Sequence, residues 1–72
     1  MKKLLKQYGF NSDMQYFEMI VDSVINGQRT QAKEMFCEMP KENKKYFVRS
    51  LVFGSWSPGL DNRDKIMFFD LI

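Results

Sequence analysis

The side chains that carry most proton-transfer and metal chemistry are scarce in this chain, which has no histidine and a single cysteine, Cys37. Histidine is the side chain best matched to proton transfer near neutral pH, so Ser-His and Cys-His nucleophile arrangements go with it. Zinc sites need three or four Cys or His ligands and cannot be assembled. Carboxylates remain. Glu18 and Asp22 stand four residues apart on the polar side of a predicted helix, a spacing that suits a solvated face, where like charges repel. Glu34 and Glu38 repeat that spacing with Arg29 and Lys33 close by. Asp61, Asn62 and Asp64 resemble the opening of an acidic calcium loop, but the glycine and the distant glutamate of such a loop are missing, and helix capping explains them better. The glycines at 9, 27, 54 and 59 are isolated, so neither a Walker loop nor a GxGxxG cradle exists. This inventory argues against an enzyme and calls for no cofactor or metal.

Other residues have the types and spacing for binding. Lys41, Lys45 and Arg49 recur every four residues and form a basic ridge on one side of a predicted helix. Tyr46 and Phe53 lie seven residues apart on a different side from Phe47, Val48 and Leu51. Basic residues interleaved with aromatics suit single-stranded nucleic acid, where rings stack on bases and amines follow phosphates. The same rings can equally pack on a neighbouring helix. Trp56 sits in a Gly/Ser/Pro stretch, GSWSPGL, either folded onto the core or presented as an interface anchor. Phe68 and Leu71, in the apolar end of the chain, complete the candidate partner-binding set. Cys37 falls opposite the Ala32, Met35 and Phe36 stripe, a position open to exposure with Lys33 one turn earlier favouring the thiolate, but the preferred reading is a small residue packed against another helix.

The elements that must position these residues are helical. Lys2 to Tyr8 can form two turns ended by Gly9. Asn11-Ser12 offers caps for a helix running to Ile25, on which Met14, Phe17, Ile20, Val21, Val24 and Ile25 share an apolar arc opposite Gln15, Glu18, Asp22 and Ser23. Tyr16 and Met19 lie at the margin of that polar face. Asn26-Gly27 ends the helix, Ala32, Met35, Phe36 and Met39 stripe the next, and Pro40 separates it from a third major helix at about 41 to 53. The final segment, from Asp61 to Ile72, is apolar nearly all round at residues 66 to 72, where a short strand competes with a helix. The expectation is an all-α fold, a compact bundle of four to five short helices forming one small domain over residues 1–72. Its core would comprise Phe17, Ile20, Val21, Val24, Ala32, Met35, Phe36, Phe47, Val48, Leu51, Ile66 and Phe69.

With 72 residues, 44% of them hydrophobic, the chain carries more apolar and aromatic material than so small a core needs, which points to a covered surface. A net charge of +2 is too small to imply a polyanionic partner, yet it is unevenly spread. One predicted helix is acidic through Asp13, Glu18 and Asp22, and another basic through Lys41, Lys44, Lys45 and Arg49, so they either dock on each other or form separate patches. One cysteine excludes an internal disulfide and fits a reducing compartment. The start, MKKLLKQYGF, lacks an h-region, and no stretch reaches the roughly 20 apolar residues of a membrane span, so a cytoplasmic protein is expected.

The stretch VDSVINGQRTQAKEMFCEMPKENKKYFVRSL, within residues 10 to 52, resembles uncharacterised small helical proteins of bacteriophages and bacterial mobile elements. The resemblance implies a setting, the bacterial host cytoplasm, in which such proteins bind a host complex and block or redirect it, as a defence-system inhibitor does; it carries over no functional residue. The expected function is a non-catalytic protein-binding module, with a protein partner or a homodimer and no membrane. The alternative is a small nucleic-acid binder or transcription regulator using residues 28 to 53 as a helix-turn-helix-like pair, with Lys41, Asn43 and Lys44 facing bases.

Overall fold

Helix ends in this chain are set by local chemistry. The computed structural model describes residues 1–53, 60 and 62–71, with the side chains at 52 and 53 outside that description. Among the described residues are five α-helices and no strand: α1 (Lys2–Tyr8), α2 (Asp13–Ile25), α3 (Arg29–Glu38), α4 (Lys41–Phe53) and α5 (Asn62–Asp70). Gly9 ends α1 in the left-handed conformation (φ 75°), its amide donating to the Lys6 carbonyl and that of Phe10 to the Leu5 carbonyl. Gly27 (φ 82°) ends α2 in the same way, its amide donating to Val24 and that of Gln28 to Ser23. Paired bonds of this kind satisfy carbonyls that the helix leaves open, and the positive φ favours glycine. At the start of α2 the Ser12 hydroxyl accepts from the Gln15 amide at 3.3 Å, while the Gln15 side chain accepts from the Asn11 amide at 2.6 Å. Pro40 stands just before α4, its carbonyl accepting from the amides of Asn43 and Lys44, and the preceding Met39 is extended (ψ 149°), as a residue before proline prefers.

The helices gather into a compact all-α bundle with a Cα radius of gyration of 11.2 Å. In its core Phe36 of α3, Phe47 of α4 and Phe68 of α5 meet ring to ring, the centroids 5.1 to 5.7 Å apart, and Phe17 of α2 joins at 5.5 Å from Phe47. Ile20, Val21, Val24, Ala32, Met35, Met39, Val48, Leu51 and Leu60 fill the remainder. Leu4, Leu5 and Phe10 pack on this core from the α1 side, and Arg29 at the start of α3 pairs with Asp64 in the first turn of α5 at 2.7 Å.

Several expected placements are corrected. Ile66 and Phe69 are exposed (57% and 49%), whereas their neighbour Phe68 is fully buried. On α2 the buried arc is turned toward Tyr16 and Ser23, leaving Met14 and Ile25 exposed. Both polar side chains are satisfied inside. The Tyr16 hydroxyl donates to the Met35 carbonyl at 2.6 Å, in the last turn of α3 where carbonyls lack helical partners, and the Ser23 hydroxyl donates to the Met19 carbonyl one turn back. Cys37 is exposed, which is the less favoured of its two expected placements. Residues 66 to 70 are helical, which removes the strand alternative there.

Burial first, then the charge of Glu38 and the neighbouring Tyr8, raises the Tyr16 phenol well above its ordinary value of 10.0. A folded-state value above the unfolded one means that this stabilisation is complete below about pH 10 and is lost as pH rises toward the folded value. Tyr16→Phe should cost about 1–2 kcal/mol at neutral pH by leaving the Met35 carbonyl unpaired. It should also flatten the alkaline fall in stability by up to about 1.4 kcal/mol per pH unit. Urea unfolding of both proteins between about pH 8 and 11 measures the two effects together. Parallel stability curves across that range would remove Tyr16 as the titrating group.

Candidate protein-docking surface

The most built of the exposed apolar features lies where the first turns of α2 face the first half of α4. Asp13, Met14 and Phe17 on one side and Glu42, Asn43 and Tyr46 on the other line an open groove of about 290 Å³. Phe17 forms its floor. Its ring stacks under that of Tyr46 with centroids 5.8 Å apart and planes 26° apart. Tyr46 is 55% exposed while Phe17 is 2% exposed, so the tyrosine ring rests on the core and turns its other side to solvent. An amphipathic ring held by packing is presented at little entropic cost. Met14 adds a soft apolar edge, and Asp13 and Glu42 place carboxylates at the rim.

Lys41, Lys45 and Arg49 are all exposed along α4 and form no ion pair among the described residues. Glu18 and Asp22 are equally exposed and unpaired on α2. The acidic and basic helices of this chain therefore do not neutralise each other; they present separate patches on either side of the groove. A second open groove, of about 320 Å³, lies on α5 and is lined by Asn62, Lys65, Ile66 and Phe69. It has fewer aromatic contacts behind it. On the far side of α2, Tyr8 stacks on Phe10 at 5.9 Å, meets Tyr16 edge-on at 5.6 Å and donates a hydrogen bond to Glu38 at 3.0 Å. Partial burial and the Glu38 carboxylate raise its phenol above the ordinary value. This cluster ties α1 to α3.

Of the expected binding residues, Tyr46, Lys41, Lys45 and Arg49 lie on the exposed side of α4. Phe68 is corrected: it is a fully buried member of the aromatic core and unavailable to a partner. Leu71 is half-buried against that core. Trp56 and the side chain of Phe53 lie outside the described residues. Met14, Asp13 and Glu42 were not among the expected binding residues, and Asn43 was expected only as a base-reading residue of the nucleic-acid alternative, since a groove between helices depends on how α2 and α4 are set against each other. Of the expected capping trio, Asp61 lies outside the described residues, and Asp64, in the first turn of α5, pairs with Arg29. Among the described residues no group of three or more Cys, Asp or Glu is placed to hold a metal ion, and no helix is long and apolar enough to cross a membrane.

The chain matches no protein-family model, no curated protein and no solved structure.

The exposure of Ile66 and Phe69 is open to a direct check. Ile66→Gln and Phe69→Gln should each shift stability by no more than about 0.5 kcal/mol, the usual range for surface positions. Phe68→Ala should cost about 3–5 kcal/mol and leave little folded protein. Thermal circular dichroism on the three variants distinguishes this placement from one with Ile66 and Phe69 in the core.

Proposed function

We propose that this chain is a non-catalytic protein-binding module that docks through the α2/α4 groove, with Tyr46 as its anchor. The observation that carries the reading is the half-exposed Tyr46 ring stacked on core Phe17. It supplies rigid aromatic area beside a soft methionine, the kind of site at which interface energy concentrates. The basic ridge of Lys41, Lys45 and Arg49 borders it and would steer an acidic surface toward the ring. The absence of histidine and the lone cysteine favour binding over catalysis. The phage and mobile-element resemblance adds a setting to this proposal: a bacterial cytoplasm in which the module binds a host complex and modulates it, for instance as a defence-system inhibitor.

One observation favours a second reading. The ridge and Tyr46 lie on the same exposed helix, the combination that a single-stranded nucleic acid would use. The two readings differ in salt dependence, because phosphate contacts release counterions and lose affinity steeply with salt.

Tyr46→Ala should weaken association with the protein partner by about 2 kcal/mol, roughly thirtyfold, while changing the thermal midpoint little. The measurement is affinity capture from the source cell followed by titration of the captured protein. Undiminished capture by Tyr46→Ala would rule the groove out as the docking surface. Gel shifts of single-stranded DNA and RNA at low and high salt address the alternative, which ends if no shift appears at low salt.

A further inference from the structure

The surface around the groove has an order that is its own complement. Successive helix residues turn by about 100°, which fixes what lies to either side of the groove. From Met14 at its edge, the exposed side of α2 continues to Glu18 and then Asp22. From Tyr46 and Glu42 at the opposite edge, the exposed side of α4 continues to Arg49, Lys45 and Lys41. Acidic residues thus lie on one flank, apolar rings and a thioether near the middle, and basic residues on the other. A half-turn about an axis through the groove lays the acidic flank of one molecule on the basic flank of another, and the basic flank on the acidic one. It also brings the two Tyr46 and Met14 pairs together at the centre. This is what a two-fold interface requires, since the same patch must serve both subunits.

We propose that the occupant of this surface is a second copy of the chain, docked about a two-fold axis through the α2/α4 groove. Glu18 and Asp22 of each subunit face Lys45 and Arg49 of the other. The proposal rests on the docking-surface reading above and names its partner. The charge pattern supports it, because Glu18, Asp22, Lys45 and Arg49 are exposed and form no ion pair among the described residues of one chain, and a second copy offers each of them an opposite charge. Asp13 and Glu42 also line the groove, so the pairing sets carboxylates near the axis, a like-charge repulsion that the flank ion pairs must outweigh.

Charge exchange tests it. The Lys45→Glu/Arg49→Glu variant has two acidic flanks and the Glu18→Lys/Asp22→Lys variant two basic ones, so each should dimerise at least about tenfold more weakly than the unaltered chain. Mixed in equal amounts they should form a one-to-one heterodimer, because each acidic flank then meets a basic one on both sides of the axis. Sedimentation velocity at low ionic strength reads all three states, and added salt should dissociate the mixed pair because its flank charges are exposed. Circular dichroism confirms that the exposed substitutions leave the helices in place.

An unaltered chain that stays monomeric at millimolar concentration overturns the proposal, as does failure of the two folded variants to pair when mixed. If the chain is monomeric yet captures a different protein or a nucleic acid in a Tyr46-dependent manner, self-docking is overturned while the groove remains a binding surface. If it dimerises and Tyr46→Ala has no effect on that or any other association, it is the groove itself that fails.

Discussion

The contact of Phe36, Phe47 and Phe68 is the constraint on which the rest of the molecule depends. Helices of seven to thirteen residues, as found here, are marginal alone in water, so each must bury a face against others to persist. Three of the five described helices each send a ring to one point, with tilted and edge-on contacts that place ring edges against ring faces. The fourth ring, Phe17, extends the cluster to α2, and through Tyr46 it reaches the surface. A small chain buries only a modest fraction of its apolar area, so a few large rings shared among helices hold together what no helix pair could hold alone.

The readable parts of the sequence were those governed by local rules. Gly9 and Gly27 mark helix ends because each end needs a left-handed residue, and Pro40 separates α3 from α4 because it cannot donate within a continuing helix. The stripes Ala32, Met35, Phe36 and Phe47, Val48, Leu51 repeat at helical spacing and lie where that spacing puts them. Periodicity fails at α5, where Ile66, Met67, Phe68 and Phe69 offer an apolar residue in several directions. Which of them turns inward is decided by the position of Phe36 and Phe47 on other helices. Tyr16 and Ser23 failed for a different reason. Their hydroxyls look like signs of solvent, but Tyr16 finds a carbonyl at the end of α3 and Ser23 one in its own helix. The first of these partners exists only once α2 and α3 have packed.

The candidate surface divides along the same line. The basic ridge and the ring at Tyr46 follow from spacing along one helix, whereas the groove needs Met14 and Phe17 brought beside Glu42 and Asn43 from more than twenty residues away. Met14 falls on the apolar arc of α2 in sequence, and the rotation of that helix toward Tyr16 moves it outward. The buried tyrosine and the exposed methionine are therefore two results of one rotation. Burying the Tyr16 hydroxyl against a carbonyl is what frees Met14 to edge the groove.

Tyr46 and Phe47 are consecutive in α4, and the turn between successive helix residues sends one ring onto the surface and the other into the core. Phe47 meets Phe17, Phe36 and Phe68, and Tyr46 stacks on Phe17 on its inner side. The orientation of the exposed ring is thus inherited from the core with no loop in between. A lesion that moves Phe17 moves the surface ring with it as it destabilises the fold, so a core variant does not isolate the exposed surface. Tyr46 itself is the position at which the two can be separated, since removing its ring uncovers one side of Phe17 and leaves the triangle of Phe36, Phe47 and Phe68 in contact.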